Sequence, residues 1–198
     1  MTGFGRVGVD FASNMFGLKP DIVVAGKGMG GGYAAIGGTY STEEIADSIQ
    51  KAGYEVMFHT FAALPHSCAA SSKVLKILRE EELCKKVKPL GDKILKILNK
   101  NLSQHPNIAE IRGHGLLLGI EIVKDKDTLE PFSEEEKVTN QIMQKGLQNG
   151  VFLYPGGTGQ FRDIICFGPA FIINDDDINL MTQVAIESIK EVTEKLMN

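Results

Sequence analysis

Asp21-Ile22-Val23-Val24-Ala25-Gly26-Lys27-Gly28-Met29-Gly30-Gly31-Gly32 delivers one lysine from a short apolar run into a turn of glycines. Ile22 to Ala25 read as a buried strand, started by a turn at Lys19-Pro20-Asp21. Glycines on both sides of Lys27 let the backbone take positive φ and let a ligand approach the main chain closely. A lysine withdrawn from solvent at such a turn loses its proton more readily and attacks a carbonyl to form a Schiff base. The plainer reading is a surface turn lysine.

Two phosphate-binding readings compete with these. Gly26-Lys27-Gly28-Met29-Gly30-Gly31 fits the G-x-G-x-x-G dinucleotide pattern, which needs a helix opening inside the glycines. Here Gly30 to Gly38 is too glycine-rich to start one. A P-loop needs Ser or Thr after the lysine, and Gly28 stands there.

The elements that must hold this turn follow along the chain. Ile36 to Tyr40 reads as a second short strand, and Ser41 with Glu44 as a capping box opening a helix to about Lys51, stopped by Gly53. Tyr54 to Phe61 leads into Pro65, a favoured first helical residue, and a long helix carrying Ala69, Ala70, Val74, Leu75 and Leu78. Val87, Leu90, Ile94, Ile97 and Leu98 recur at helical spacing in the next helix, which ends near Asn101. Ile108 to Arg112 and Leu116 to Val123 form a strand pair around Gly113-His114-Gly115. Ser133 to Glu136 caps a helix to about Gln148, with Gly150 as its stop, and Asn174 caps a last helix to about Leu196. Between them lie short strands at Val151 to Tyr154 and Ile164 to Phe167. The order is an α/β beginning joined to a compact α+β domain, with expected limits of 1–84 and 85–198.

Composition narrows the class. The 198 residues are 43% hydrophobic, and the mean hydropathy is −0.03, enough to bury a core. A net charge of −4 with interleaved signs offers no basic face for nucleic acid and no polybasic patch for a membrane. Cys68, Cys84 and Cys166 are odd in number and scattered, which suits a reducing compartment. Met1 to Arg6 carries no signal-peptide pattern and no run reaches membrane-span length, so a cytoplasmic protein is expected.

Gly3-Phe4-Gly5-Arg6, the Asp21 to Gly32 segment, His59-Thr60-Phe61, Arg112-Gly113-His114-Gly115-Leu116 and Gly168-Pro169-Ala170-Phe171 follow one another as in class III aminotransferases. The chain resembles the C-terminal half of these pyridoxal-phosphate enzymes. The resemblance implies a fold-type I transferase: a remnant of the large-domain sheet, then the small domain. It implies pyridoxal 5'-phosphate as cofactor and Lys27 as the lysine that holds it and shuttles the substrate proton, moving an amino group between an amine or amino acid and a 2-oxo acid. Thr60 resembles the threonine that reaches the phosphate of the partner subunit's cofactor, so a homodimer with shared sites is implied. Arg112 reads as structural, and His59 with His66 lacks the ligand set of a metal site.

Several family features are not matched. The Asp that pairs with the pyridine nitrogen, usual just upstream of the segment at Met1, is expected to be missing, with the phosphate-cupping turn and the stacking aromatic. Ala62-Ala63-Leu64-Pro65 stands where many relatives carry Gly-His-Pro or Gly-Asn-Pro. Cys166 occupies a position where relatives acting on α-amino acids often carry Arg; Arg162, in the loop before Asp163, could reach a substrate carboxylate instead, the plainer reading being a solvent-exposed loop arginine. An incomplete, catalytically incompetent associating domain is therefore the alternative function, and an aminomutase or decarboxylase on the same scaffold a third. Ile22 to Ala25 is expected to need parallel neighbours on both sides, which would leave residues 1–60 poorly stabilised beside an autonomous domain from about Lys85.

Overall fold

The computed structural model describes residues 1–54, 60–157 and 163–198. The chain divides into two compact units, Met1–Lys86 and Val87–Asn198.

In the first unit a one-turn helix, α1 (Ala12–Met15), precedes β1 (Ile22–Ala25). A 3-10 turn over Lys27–Gly30 follows, then β2 (Gly38–Ser41), α2 (Glu43–Lys51) and α3 (Pro65–Glu80). β1 and β2 pair antiparallel, from Ile22 opposite Ser41 to Ala25 opposite Gly38. The parallel partners expected for β1 are not among the described residues, where β2 is its one neighbour. Nor is β1 buried: Ile22 is 52% and Val24 80% exposed, because a two-stranded ribbon covers neither of its own faces. β2 starts at Gly38, two residues later than expected, and Ser41 is its last residue. The cap of α2 therefore moves to Thr42, whose side chain makes no capping bond. Pro65 sits in the first turn of α3 as its fixed φ predicts.

The second unit holds the core. α4 (Leu83–Leu102) begins at the end of the first unit. It is followed by β3 (Ile108–His114), β4 (Leu117–Ile122), α5 (Val138–Gln148), β5 (Tyr154–Gly156), β6 (Ile164–Phe167) and α6 (Asp175–Met197). The strands form one antiparallel sheet in the order β3-β4-β6-β5. On β4 every second residue is buried (Leu118, Ile120, Ile122), the period of a strand with one face on the core. Val87, Ile94, Leu98 and Leu102 form the stripe of α4, and Ile178, Thr182, Ala185, Ile189 and Val192 that of α6. Spacings of three, four and seven put each set on one helical face. Asn174 caps α6 by accepting from the Asp177 amide at 2.8 Å, with Asp175, Asp176 and Asp177 complementing the positive end of the helix dipole.

Three details depart from the sequence reading. His114 pairs with Leu117, so the β3–β4 turn is tighter than the Gly113-His114-Gly115 bend suggested. The capping box at Ser133 forms, but it closes a 3-10 turn over Glu134–Glu136. Lys137, at φ 45°, breaks the path before α5 begins. The strand expected from Val151 begins at Tyr154.

The turn into α3 carries strain. Ala63 sits at φ 51°, in the left-handed region that favours glycine. Ala63→Gly is expected to stabilise the first unit by about 1 kcal/mol, relieved left-handed strain of about 1–2 kcal/mol outweighing the added freedom of the unfolded chain. Thermal unfolding followed by amide exchange in α3 checks this, and a lowered stability would show that Ala63 has found compensating contacts.

Candidate active site

Lys27 is the first residue of the 3-10 turn between β1 and β2. Gly26 before it is fully extended, at φ −176°. Lys27 itself stands at φ 50° in a segment where glycine occupies five of the six positions from 26 to 32 other than 27. A left-handed lysine costs about 1–2 kcal/mol relative to the right-handed form, so glycine is the relaxed choice here.

Three amides at the turn are spent on the turn itself. Met29 N–H donates to the Gly26 carbonyl at 3.1 Å, Gly31 N–H to Gly28 at 3.1 Å and Tyr33 N–H to Gly30 at 2.9 Å. A phosphate-binding loop needs such donors turned outward at the start of a helix. The next α-helix after the glycines, α2, starts only at Glu43, so neither the dinucleotide nor the P-loop reading survives.

Two elements, α3 and β2, fix the turn. The Ser71 hydroxyl of α3 donates to the Met29 carbonyl at 2.8 Å, and the Tyr40 hydroxyl of β2 meets the Met29 sulfur at 2.9 Å. A Cβ on Gly31, at φ 58°, would lie 3.0 Å from Val74 Cγ2, so α3 closes tightly on the far end of the turn. Met29 is 3% exposed and anchors the turn from beneath.

Lys27 is exposed, and so is Thr60 in the turn leading to α3. The expected withdrawal of Lys27 from water is therefore not made by the described residues. Both residues lie in the first unit, on segments that α3 links: Thr60 precedes it and the Lys27 turn packs against it. Arg162 and His59 lie outside the described residues. His66 is exposed in the first turn of α3, and no group of metal-ligating side chains occurs among the described residues.

In the second unit Arg112 ion-pairs with Glu110 at 2.8 Å and, across the strand pair, with Glu121. These bonds, that to Glu121 foremost, raise the guanidinium further above its ordinary value. A cation tied to two carboxylates is a structural pin on the sheet and has little left for a ligand. Cys166 lies half-buried on β6 opposite Gly119 and Tyr154. Burial pushes its thiol up, with Arg112 opposing, so it is neither a cationic clamp nor a ready nucleophile.

The residues present suit pyridoxal phosphate in two respects. An aldehyde needs an accessible primary amine, and Lys27 offers one on an immobilised turn. A phosphate needs hydroxyl or amide donors, and Thr60 offers an exposed hydroxyl. Sequence reading found both residues but missed Ser71 and Tyr40. No local signal marks them, because Ser71 lies 42 residues and Tyr40 11 residues from Met29.

The profile of the family described as Aminotransferase class-III matches residues 1–189. An uncharacterised aminotransferase of Bacillus subtilis, YodT, is 34% identical over 99% of this chain and 45% of its own length. A taurine–pyruvate aminotransferase of Bilophila wadsworthia is 34% identical over 89% of this chain and 40% of its own. Among solved structures, a transaminase from the marine bacterium Virgibacillus superposes with a TM-score of 0.90 at 29% identity, over 98% of this chain and 44% of the other. A transaminase obtained by ancestral reconstruction gives 0.91 at 28% identity, over 98% and 43%. The chain thus spans less than half the length of the relatives it matches. Class III aminotransferases work with pyridoxal 5'-phosphate, and the fold is the corresponding part of a fold-type I transferase. With its glycine-turn lysine and a profile match over nearly its whole length, this chain belongs to the class III aminotransferase family.

Proposed function

We propose that this chain contributes the reactive lysine of an aminotransferase that moves an amino group between an amine or amino acid and a 2-oxo acid. The observation that carries the reading is Lys27 at φ 50° in a turn built mostly of glycine. Strained backbone persists where its surroundings over-determine it, and such positions gather at functional sites. Here the strained residue is also the one whose amine the family's chemistry requires.

Bound pyridoxal phosphate supplies an electron sink for the substrate's α-carbanion. Lys27 supplies the rest of the covalent and proton chemistry. Its amine would hold the cofactor and, when free, would serve as the base that takes the proton from the substrate carbon and returns it to the acceptor carbon. Thr60 donates its hydroxyl to the phosphate of the cofactor in the neighbouring subunit of a homodimer. Arg162, outside the described residues, is assigned to a substrate carboxylate on its charge alone, since Cys166 cannot make that bond. Three free cysteines support a cytoplasmic setting, and no helix among the described residues is long and apolar enough to cross a membrane.

One observation favours a second reading. Lys27 is exposed and β1 has one neighbouring strand among the described residues, so the chain on its own leaves the amine uncovered. In that reading it is an associating domain that transfers nothing alone. An aminomutase or decarboxylase would use the same lysine. Borohydride reduction of the 198-residue chain with pyridoxal phosphate, followed by peptide mass spectrometry, separates the first two. A pyridoxyl mark concentrated on Lys27 supports the lysine's role, and marks spread evenly over the exposed lysines sink it.

The Thr60 assignment has its own consequence. Thr60→Ala removes one hydroxyl bond to a charged acceptor, worth about 1.5–3 kcal/mol, and is expected to weaken pyridoxal phosphate binding roughly ten- to a hundredfold in the dimeric enzyme. Equilibrium dialysis reads this directly. Mixed dimers of Thr60→Ala and Lys27→Ala subunits should recover one intact site of the two, and a failure to do so would place Thr60 beside its own subunit's lysine.

A further inference from the structure

The buried face of α3 is made of serines. Ser67 and Ser71, each 6% exposed, are the only buried residues of this helix, with Val74 next on the same stripe at helical spacing. A buried hydroxyl needs a partner, and on a helix the nearest is the carbonyl four residues back. Ser48 takes that partner at Glu44, Thr182 at Ile178 and Thr193 at Ile189. Ser71 does otherwise: it leaves its own helix and donates to Met29, 42 residues away, in the turn that begins with Lys27.

We infer that Ser71 is a positioning residue for Lys27, its hydroxyl locking the 3-10 turn so that the lysine stays left-handed. The inference rests on the reading of Lys27 as the reactive amine. The bonds inside the turn use the carbonyls of Gly26, Gly28 and Gly30, which leaves Met29 carbonyl for the Ser71 hydroxyl. Met29 is thereby held at two atoms, its carbonyl by Ser71 and its sulfur by Tyr40. Val74, one turn further along α3, closes on Gly31. Lys27 lies two residues from this anchor and cannot relax to right-handed φ without moving it. A hydroxyl is the residue type that suits the place: alanine would leave the Met29 carbonyl unpaired, and a larger apolar side chain would wedge α3 away from the turn.

The test uses the 198-residue chain and two readouts free of cofactor. The three-bond coupling between the Lys27 amide and α protons reports φ directly, and amide exchange at Met29, Gly31 and Tyr33 reports opening of the turn. In Ser71→Ala the coupling is expected to average toward the right-handed value. Exchange at the three amides should quicken roughly tenfold, the loss of one buried hydrogen bond. Ser72→Ala, on the exposed side of the same helix, should change neither. Ser71→Thr keeps the hydroxyl and should retain the wild-type coupling. A wild-type coupling in a folded Ser71→Ala chain overturns the inference. Should Ser71→Ala fail to fold, an altered coupling in Ser71→Thr overturns it and an unaltered one supports it. Because no cofactor enters these measurements, a missing pyridoxyl mark on wild-type Lys27 would defeat the proposed function while leaving this result to stand or fall by itself.

Discussion

Lys27→Ala is expected to remove the pyridoxyl mark fixed by borohydride and to take amino transfer in the intact enzyme below detection, with the fold unchanged. The separation of the two effects follows from the backbone. Lys27 is exposed and its left-handed φ of 50° is demanded by the turn, whatever the side chain. Alanine carries a Cβ as lysine does, so both pay the same left-handed cost of about 1–2 kcal/mol, and stability should hardly move. Lys27→Gly removes that cost and should give a chain slightly more stable than the natural one and equally inert. This pairing of gain in stability with loss of chemistry is the mark of strain kept for function. Lys27→Arg should not restore the mark, because a guanidinium stays protonated and forms no Schiff base. The mark is read by mass spectrometry of the Lys27 peptide and the fold by circular dichroism. A mark at natural yield in Lys27→Ala would show that another lysine carries the chemistry.

What the sequence made legible divides along the same line as the energetics. In the second unit apolar spacing located α4, because there burial and pattern are one phenomenon: Ile94 and Leu98 are fully buried as their spacing predicts, while β4 was found as a β-rich run and α6 by its Asn174 cap. β1 is the contrary case. Its four apolar residues identified a strand, but whether a strand is buried depends on what lies beside it, and composition carries no record of that. The turn at Lys27 was visible as lysine among glycines. Its left-handed φ was not, since glycine on either side announces freedom without saying which residue will be held in the strained conformation. The break at Lys137 escaped for a related reason: Ser133 and Glu136 make a sound capping box, and a box fixes only the first turn it closes. Ser71 and Tyr40 escaped because a tertiary hydrogen bond leaves no local period to detect.

Gly91 shows how far such a contact can overrule propensity. In the interior of α4 glycine is a poor residue, and alanine in its place ordinarily stabilises a helix by about 1 kcal/mol. Here a Cβ would stand 1.9 Å from the Gly115 carbonyl oxygen and 2.5 Å from its carbon. These are backbone atoms, so no rotamer change clears them: α4 would have to withdraw from the β3–β4 hairpin. Withdrawal would open the contacts of Val87, Ile94 and Leu98 with the same core that holds Leu116. Overpacking a core commonly costs about 1–3 kcal/mol and more where nothing yields, so we expect Gly91→Ala to destabilise the second unit by about 3 kcal/mol after the helix gain is counted. For a unit of this size that lowers the melting temperature by about 10–20 °C. Gly168→Ala is the control, since a Cβ there meets nothing within 4 Å. Calorimetry of both variants decides it. A melting temperature for Gly91→Ala at or above that of the natural chain would mean that α4 and the hairpin do not approach this closely in solution, and that glycine at 91 serves some purpose other than contact.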